Sequence, residues 1–153
     1  MEKKEGRKLD MRFSSIKVNK FSQFDLSKEF DLSNKPFVNF ISNFGFKITP
    51  GENKISCFIN VEMKIIETNE AFAELKVENI FEIKPMSLIS KPNNKGGYDI
   101  PNDILRTIVT ISISTVRGIL SEKLKGTVIQ NEIYPLINPS SIFEQIENKK
   151  NQN

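Results

Sequence analysis

Lys54-Ile55-Ser56-Cys57-Phe58-Ile59-Asn60-Val61-Glu62-Met63-Lys64-Ile65 is the stretch on which the fold turns. Ile55, Cys57, Ile59, Val61, Met63 and Ile65 share one parity, and Lys54, Ser56, Asn60, Glu62 and Lys64 share the other. Successive side chains of a strand point to opposite faces, so this period of two predicts a strand over 54–67 with a dry and a wet face. The pattern repeats on both sides. Over 72–84, Ala73, Leu75, Val77, Phe81 and Ile83 oppose Glu74, Lys76, Glu78 and Glu82. Over 37–48, Val38, Phe40, Ser42, Phe44, Phe46 and Ile48 share a face. The segment 12–26 is also β-like, but its alternation slips near Lys20-Phe21, which fits a bulge. Asn34-Lys35-Pro36, Pro50-Gly51-Glu52-Asn53 and Thr68-Asn69-Glu70 supply the turns. One-faced alternation in consecutive strands predicts a four-stranded antiparallel meander.

Residues 85–100 read as a long loop, punctuated by Pro85, Pro92, Asn93-Asn94 and Gly96-Gly97. Loops of this length in compact domains are often functional. The next segment, 101–124, pulls two ways. Ile108 to Val116 is rich in β-branched residues, and propensity alone favours a strand. Its ends favour a helix: Pro101 and Asp103 suit the start, and Lys123, Lys125 and Gly126 the finish. Ile104, Leu105, Ile108, Val109, Val116, Ile119, Leu120 and Leu124 also recur at helical spacing, so the segment is read as one long helix. A short helix over 140–148 follows Asn138-Pro139, with Ile142, Phe143 and Ile146 on one face. The fold class is therefore α+β, with one domain over 11–147 between tails at 1–10 and 148–153.

Composition narrows the function. The 153 residues are enough to bury about 70% of the surface of the unfolded chain. Hydrophobic residues make up 38%, a lean share in which 12 Phe stand out against 2 Tyr and no Trp; that means an aromatic core or an aromatic binding surface. The chain has no His, which removes the commonest metal ligand and the side chain best suited to proton transfer near neutrality. Its one cysteine, Cys57, cannot form an internal disulfide, which fits a reducing compartment. Met1 to Asp10 is charged and lacks the apolar core of a signal peptide. Ile104 to Leu120 carries Arg106, Arg117 and many hydroxyls, and reads as too short and too polar to span a bilayer. A cytoplasmic chain is expected. The net charge of +3 leaves basic residues bunched only near the ends, which favours solvated tails over nucleic-acid binding.

The order of features in the last third resembles the SecB family of export chaperones. Ile100-Pro101-Asn102-Asp103-Ile104-Leu105 leads a long helix, and Lys125-Gly126-Thr127 closes it. Ile133-Tyr134-Pro135-Leu136-Ile137-Asn138-Pro139 then leads into Ser141-Ile142-Phe143. Earlier, Ile55 to Val61, Glu70-Ala71-Phe72 and Ile80-Phe81-Glu82-Ile83 resemble the strand motifs of that family, so the likeness covers roughly 11–147. It implies a non-enzymatic, ATP-independent holdase acting as a dimer of dimers on unfolded polypeptide clients. It implies no cofactor, metal or catalytic residue, no nucleic acid and no membrane insertion. The client groove it implies draws on Met86, Leu88, Ile89, Tyr98, Tyr134, Leu136, Ile137, Phe143 and Ile146. For Phe143 and Ile146 the packing of a helix on the sheet is the stronger alternative. A face for docking the SecA motor would use Glu62, Glu74 and Glu78. Three departures weigh against that docking: Lys54, Lys64 and Lys76 on the same face, a segment 71–80 one residue short of the family pattern, and a tail ending Lys149-Lys150-Asn151-Gln152-Asn153. The family also includes chaperones dedicated to antitoxins.

Other classes predict other behaviour. A sheet wrapped on a helix also describes hot-dog thioesterases, for which Asp99 and Asp103 are the only placed carboxylates on offer. An adaptor would bind a partner without suppressing aggregation. A nucleic-acid binder would show salt-dependent retention.

Overall fold

A computed structural model describes residues 8–30 and 37–151, without the side chains of 147–151. The expected turn at 34–36 and most of the N-terminal tail lie outside the described residues. Four long strands come first: β1 (Asp10–Gln23), β2 (Val38–Thr49), β3 (Lys54–Ile65) and β4 (Ala71–Lys84). A hairpin of two-residue strands follows, β5 (Lys91–Pro92) and β6 (Tyr98–Asp99), and then two helices, α1 (Asn102–Lys123) and α2 (Pro139–Asn151). The architecture is α+β, a four-stranded antiparallel sheet with one long and one short helix.

The strand order is β1-β4-β3-β2, all antiparallel. The expected meander holds for β2, β3 and β4, which tight turns join. It fails for β1, which pairs with β4 at the far edge and makes the sheet a Greek key. The cause is the connection after β1. It covers 24–37 in the sequence, a length that frees β1 from pairing with β2, and in its described part Phe24 donates its backbone N–H to the Phe72 carbonyl at 2.8 Å. The register of β1 on β4 shifts between Phe13 and Ser15 and again between Val18 and Lys20, the second beside the slip in alternation.

The inward parity of β3 is fully buried: Ile55, Cys57, Ile59, Val61, Met63 and Ile65 are all 0% exposed. Ala73, Leu75, Val77, Phe81 and Ile83 of β4 join them, and α1 covers both strands with Ile108, Val109, Ile113, Val116 and Leu120. Two asparagines turn the chain. Asn53 and Asn69 take left-handed backbone (φ 53 and 62), which Asn tolerates best after Gly. Asn53 also accepts the Met86 N–H on its side-chain oxygen at 3.1 Å, so the β2–β3 turn anchors the start of the loop after β4.

α1 resolves the conflict between propensity and ends in favour of the ends. Pro101 precedes it and its carbonyl accepts from Ile104 and Leu105. Gly126 (φ 77) turns the chain beyond it, and Thr127 caps the Leu124 carbonyl through its hydroxyl at 2.8 Å. At 22 residues α1 is long and apolar enough to cross a bilayer, which corrects the expectation that the segment falls short. Here its apolar face packs on the sheet. α2 begins where Asn138 caps the Ser140 N–H at 3.0 Å, and it runs into the expected C-terminal tail.

Burial makes Cys57 inert. It pushes the thiol up to about 11 from 9.0, with the neighbouring Ser112 hydroxyl acting weakly the other way. A thiol reagent is therefore expected to label Cys57 only after unfolding, and labelling of the native protein at the rate of a free thiol would contradict the packing. The unfolded thiol ionises first as pH rises, so the unfolded state binds fewer protons. Stability from this group is complete below pH 9 and declines as pH rises toward 11. Urea melts across that window are expected to show the decline in the wild type and a smaller one in Cys57→Ala.

Candidate functional site

β2 is an edge strand, so one side of its backbone has no strand beside it among the described residues. Its inward residues Phe44, Phe46 and Ile48 are only half-buried, because α1 lies over β3 and β4. They form the floor of a groove of about 750 Å³. Phe143 and Ile146 of α2 and Leu105 of α1 make one wall; the β5–β6 hairpin, with Tyr98, makes the other.

The hairpin holds its shape through Asn93. Its side-chain oxygen accepts the N–H of Lys95 at 3.1 Å and of Gly97 at 3.0 Å, and its amide donates to Asp99 at 3.2 Å. Gly96 takes left-handed backbone (φ 76) at the tip. Lys95 and Asp99 are the charged residues that line the groove; the rest of its surface is aromatic, aliphatic or amide.

The linker between the helices is strapped down beside this site. Arg117 donates to the carbonyls of Tyr134 and Pro135, both at 3.1 Å. The Tyr134 ring meets Phe40 edge-on at 5.6 Å, and its hydroxyl pairs with Ser42 at 2.6 Å. Burial raises the Tyr134 phenol above its ordinary value, against the pull of Ser42 and Arg117.

Of the nine groove residues expected from the sequence, Tyr98, Phe143 and Ile146 come together in the groove. Met86, Ile89 and Tyr134 instead belong to the core, at 1%, 9% and 2% exposure. Met86 is tied there by Asn53, Ile89 by the turn Met86–Leu88, and Tyr134 by Ser42 and Phe40. Leu88 and Ile137 pack half-buried against the core, and Leu136 stands 92% exposed outside the groove. The floor of Phe44, Phe46 and Ile48 escaped sequence reasoning. Its signal was an edge-type strand carrying aromatics on its dry face around a glycine, Gly45. Asp99 lies in the hairpin wall and Asp103 in the first turn of α1.

The outer sheet face is a mosaic of balanced charge. Glu74 receives Lys20 at 2.7 Å and Lys76 at 3.4 Å, and these hold its carboxyl below the usual range. Glu62 faces Lys64 at 3.8 Å, and Glu82 faces Lys84 at 3.2 Å and Arg12 at 3.5 Å. Glu78 lies across the register from Lys17.

Among the described residues, no group of three or more His, Cys, Asp or Glu is placed to hold a metal. Protein-family models and curated proteins give no match to the chain.

Proposed function

We propose that this chain is an ATP-independent holdase of the SecB type, which binds extended apolar segments of unfolded polypeptide. The groove over β2 carries the proposal. Its floor and its helix wall are apolar, its hairpin wall sets Tyr98 among the polar Asn93, Lys95 and Asp99, and it is open to solvent and bordered by a sheet edge. An extended client can take backbone hydrogen bonds from such an edge while its side chains enter the apolar trough. Aromatic walls accept many side chains without fixed hydrogen-bond geometry, as a chaperone for varied sequences requires. The test is suppression of aggregation of a chemically unfolded protein without nucleotide. Aggregation at the unprotected rate would end the holdase reading. Turnover of an acyl thioester would replace it with an enzyme. With so few charges lining the groove, binding should change little with salt.

We further propose a homo-oligomer, assembled as a dimer of dimers. Two uncovered surfaces support it. The inward row of β1 is left open: Met11 and Phe13 are each 37% exposed, Val18 43% and Ile16 48%. β1 is also the second edge of the sheet. On α1, Thr107, Thr110, Ser114, Gly118 and Ser121 are exposed at helical spacing, and the Thr107 and Thr110 hydroxyls are turned back onto carbonyls of the same helix. Such small side chains allow a helix of a second copy to approach closely. Light scattering at micromolar concentration should give four chain masses. A monomer would discard the assembly, and a dimer would cancel one interface.

Clients rather than a motor are the better-supported partners. With Glu62 and Glu74 matched by lysines, the outer face offers the SecA motor no acidic patch; Glu78 alone would have to carry docking. A SecB-like chaperone dedicated to one client, such as an antitoxin, suits this charge-balanced face.

A further inference from the structure

We propose that Asn79 and Ser112 hold one internal water molecule between the sheet and α1. Asn79 is 0% exposed, on the inward face of β4, and neither its amide nitrogen nor its amide oxygen is hydrogen-bonded among the described residues. Ser112 is 0% exposed on the covered face of α1, and its hydroxyl has the Cys57 sulfur as a neighbour but no nitrogen or oxygen partner among the described residues. Both border one residue. Cys57 is the register partner of Asn79 across β3 and β4, and Ser112 approaches it from the helix.

The chemistry of the three groups selects the ligand. Native proteins satisfy nearly all buried polar atoms with protein or ordered water, so two buried residues beside the same cysteine, with three such atoms between them, point to a partner from outside the chain. The Cys57 thiol, which Ser112 approaches, is a weak donor and a weak acceptor, and it leaves both groups with hydrogen-bonding capacity to spare. A cation would meet a neutral amide, a hydroxyl and a protonated thiol, and its charge would be buried uncompensated. An apolar ligand would leave all three atoms unpaired. Water fits. It accepts from the Asn79 amide, donates to the Asn79 oxygen and donates to or accepts from Ser112, which is the usual number of about three bonds for an internal water. A water held from both layers would also tie α1 to the sheet through hydrogen bonds.

A high-resolution crystal structure of the full chain tests the site. One water within hydrogen-bond distance of the Asn79 amide and the Ser112 hydroxyl is expected. A direct hydrogen bond between these two side chains with no water, or a larger molecule in their place, would overturn the proposal. In solution, Asn79→Leu and Ser112→Ala should each lower the folding equilibrium constant, and the double variant should lower it by less than the product of the two effects. Strictly multiplicative effects would mean that the two residues share no ligand. Should Asn79→Leu fail to fold, cross-relaxation between long-lived water and the Asn79 side-chain amide in the wild type decides: its presence supports the site and its absence removes it.

Discussion

Val61→Asp should leave the protein unfolded, while Asn60→Asp, one residue away, should be almost silent. Val61 is 0% exposed and stands between Ser42 of β2 and Leu75 of β4 in the register of the sheet. A carboxylate there would have no cation to meet among the aliphatic side chains beneath α1. Burying an unpaired charge costs several kcal/mol even after relaxation, set against a total stability of about 5–15 kcal/mol for a domain of this kind. Protonating the group reduces that cost but still buries an unsatisfied polar pair. Asn60 is exposed on the other face, in register with Lys76, so a new carboxylate there stays solvated beside a cation. Its effect should fall within about 0.5 kcal/mol. Circular dichroism and urea melts of the two variants are the check. If they melted alike, the register of β3 would be displaced by one residue, because a slip of one exchanges the faces of a strand.

That contrast rests on information the sequence carries openly. In β3 every second residue is apolar and every one of those is fully buried, so alternation alone placed the strand and its covered face. The topology was not legible in the same way. Alternation says which face of β1 is dry but not which strand it joins, and even that signal is weak, because Met11, Phe13, Ile16 and Val18 remain part-exposed within one subunit. α1 shows the opposite case. Its β-branched run favours a strand locally, and the terminal signals at Pro101, Asp103 and Gly126 prevailed because the segment is long enough to lay one apolar face along the sheet. Asn79 could not be foreseen as buried and unpaired. Its parity put it on the dry face, but its own chemistry argued for the wet one.

The groove was half legible for a related reason. The family resemblance pointed to Tyr98, Phe143 and Ile146, the last two with core packing as the stronger alternative, but an apolar residue in a loop belongs to core or groove according to its hydrogen-bond ties. Asn53 draws Met86 inward, and Ser42 does the same for Tyr134, through atoms remote in sequence. Leu136 shows the converse, an apolar residue of the linker left in solvent because Arg117 holds the backbone on its N-terminal side and nothing holds the side chain.

The largest expected effect on function is the loss of client binding in Tyr98→Asp. Tyr98 is 38% exposed, so its ring is available to a ligand, and it forms part of the hairpin wall opposite Phe143 and Ile146. Replacing it removes an aromatic anchor from a trough about 750 Å³ in volume and puts a carboxylate beside Asp99. Aromatic anchors at the centre of an interface are typically worth about 2 kcal/mol or more, so affinity for an unfolded, aromatic-rich client should fall at least about thirtyfold. The fold should hold, because β6 is two residues long and its Asn93 ties lie in the backbone and in Asp99 rather than in the tyrosine. Leu136→Ser is the matched control. It removes an apolar side chain that is 92% exposed and lies outside the groove lining, and should leave both stability and client binding near those of the wild type. Fluorescence anisotropy of a labelled unfolded peptide, read beside the thermal melt, separates the cases. Full binding by a folded Tyr98→Asp protein would move the client site off this groove. A loss of binding in Leu136→Ser would move it onto the linker between the helices. If Tyr98→Asp lost stability before it lost binding, the hairpin would be part of the core and the trough a packing feature rather than a site.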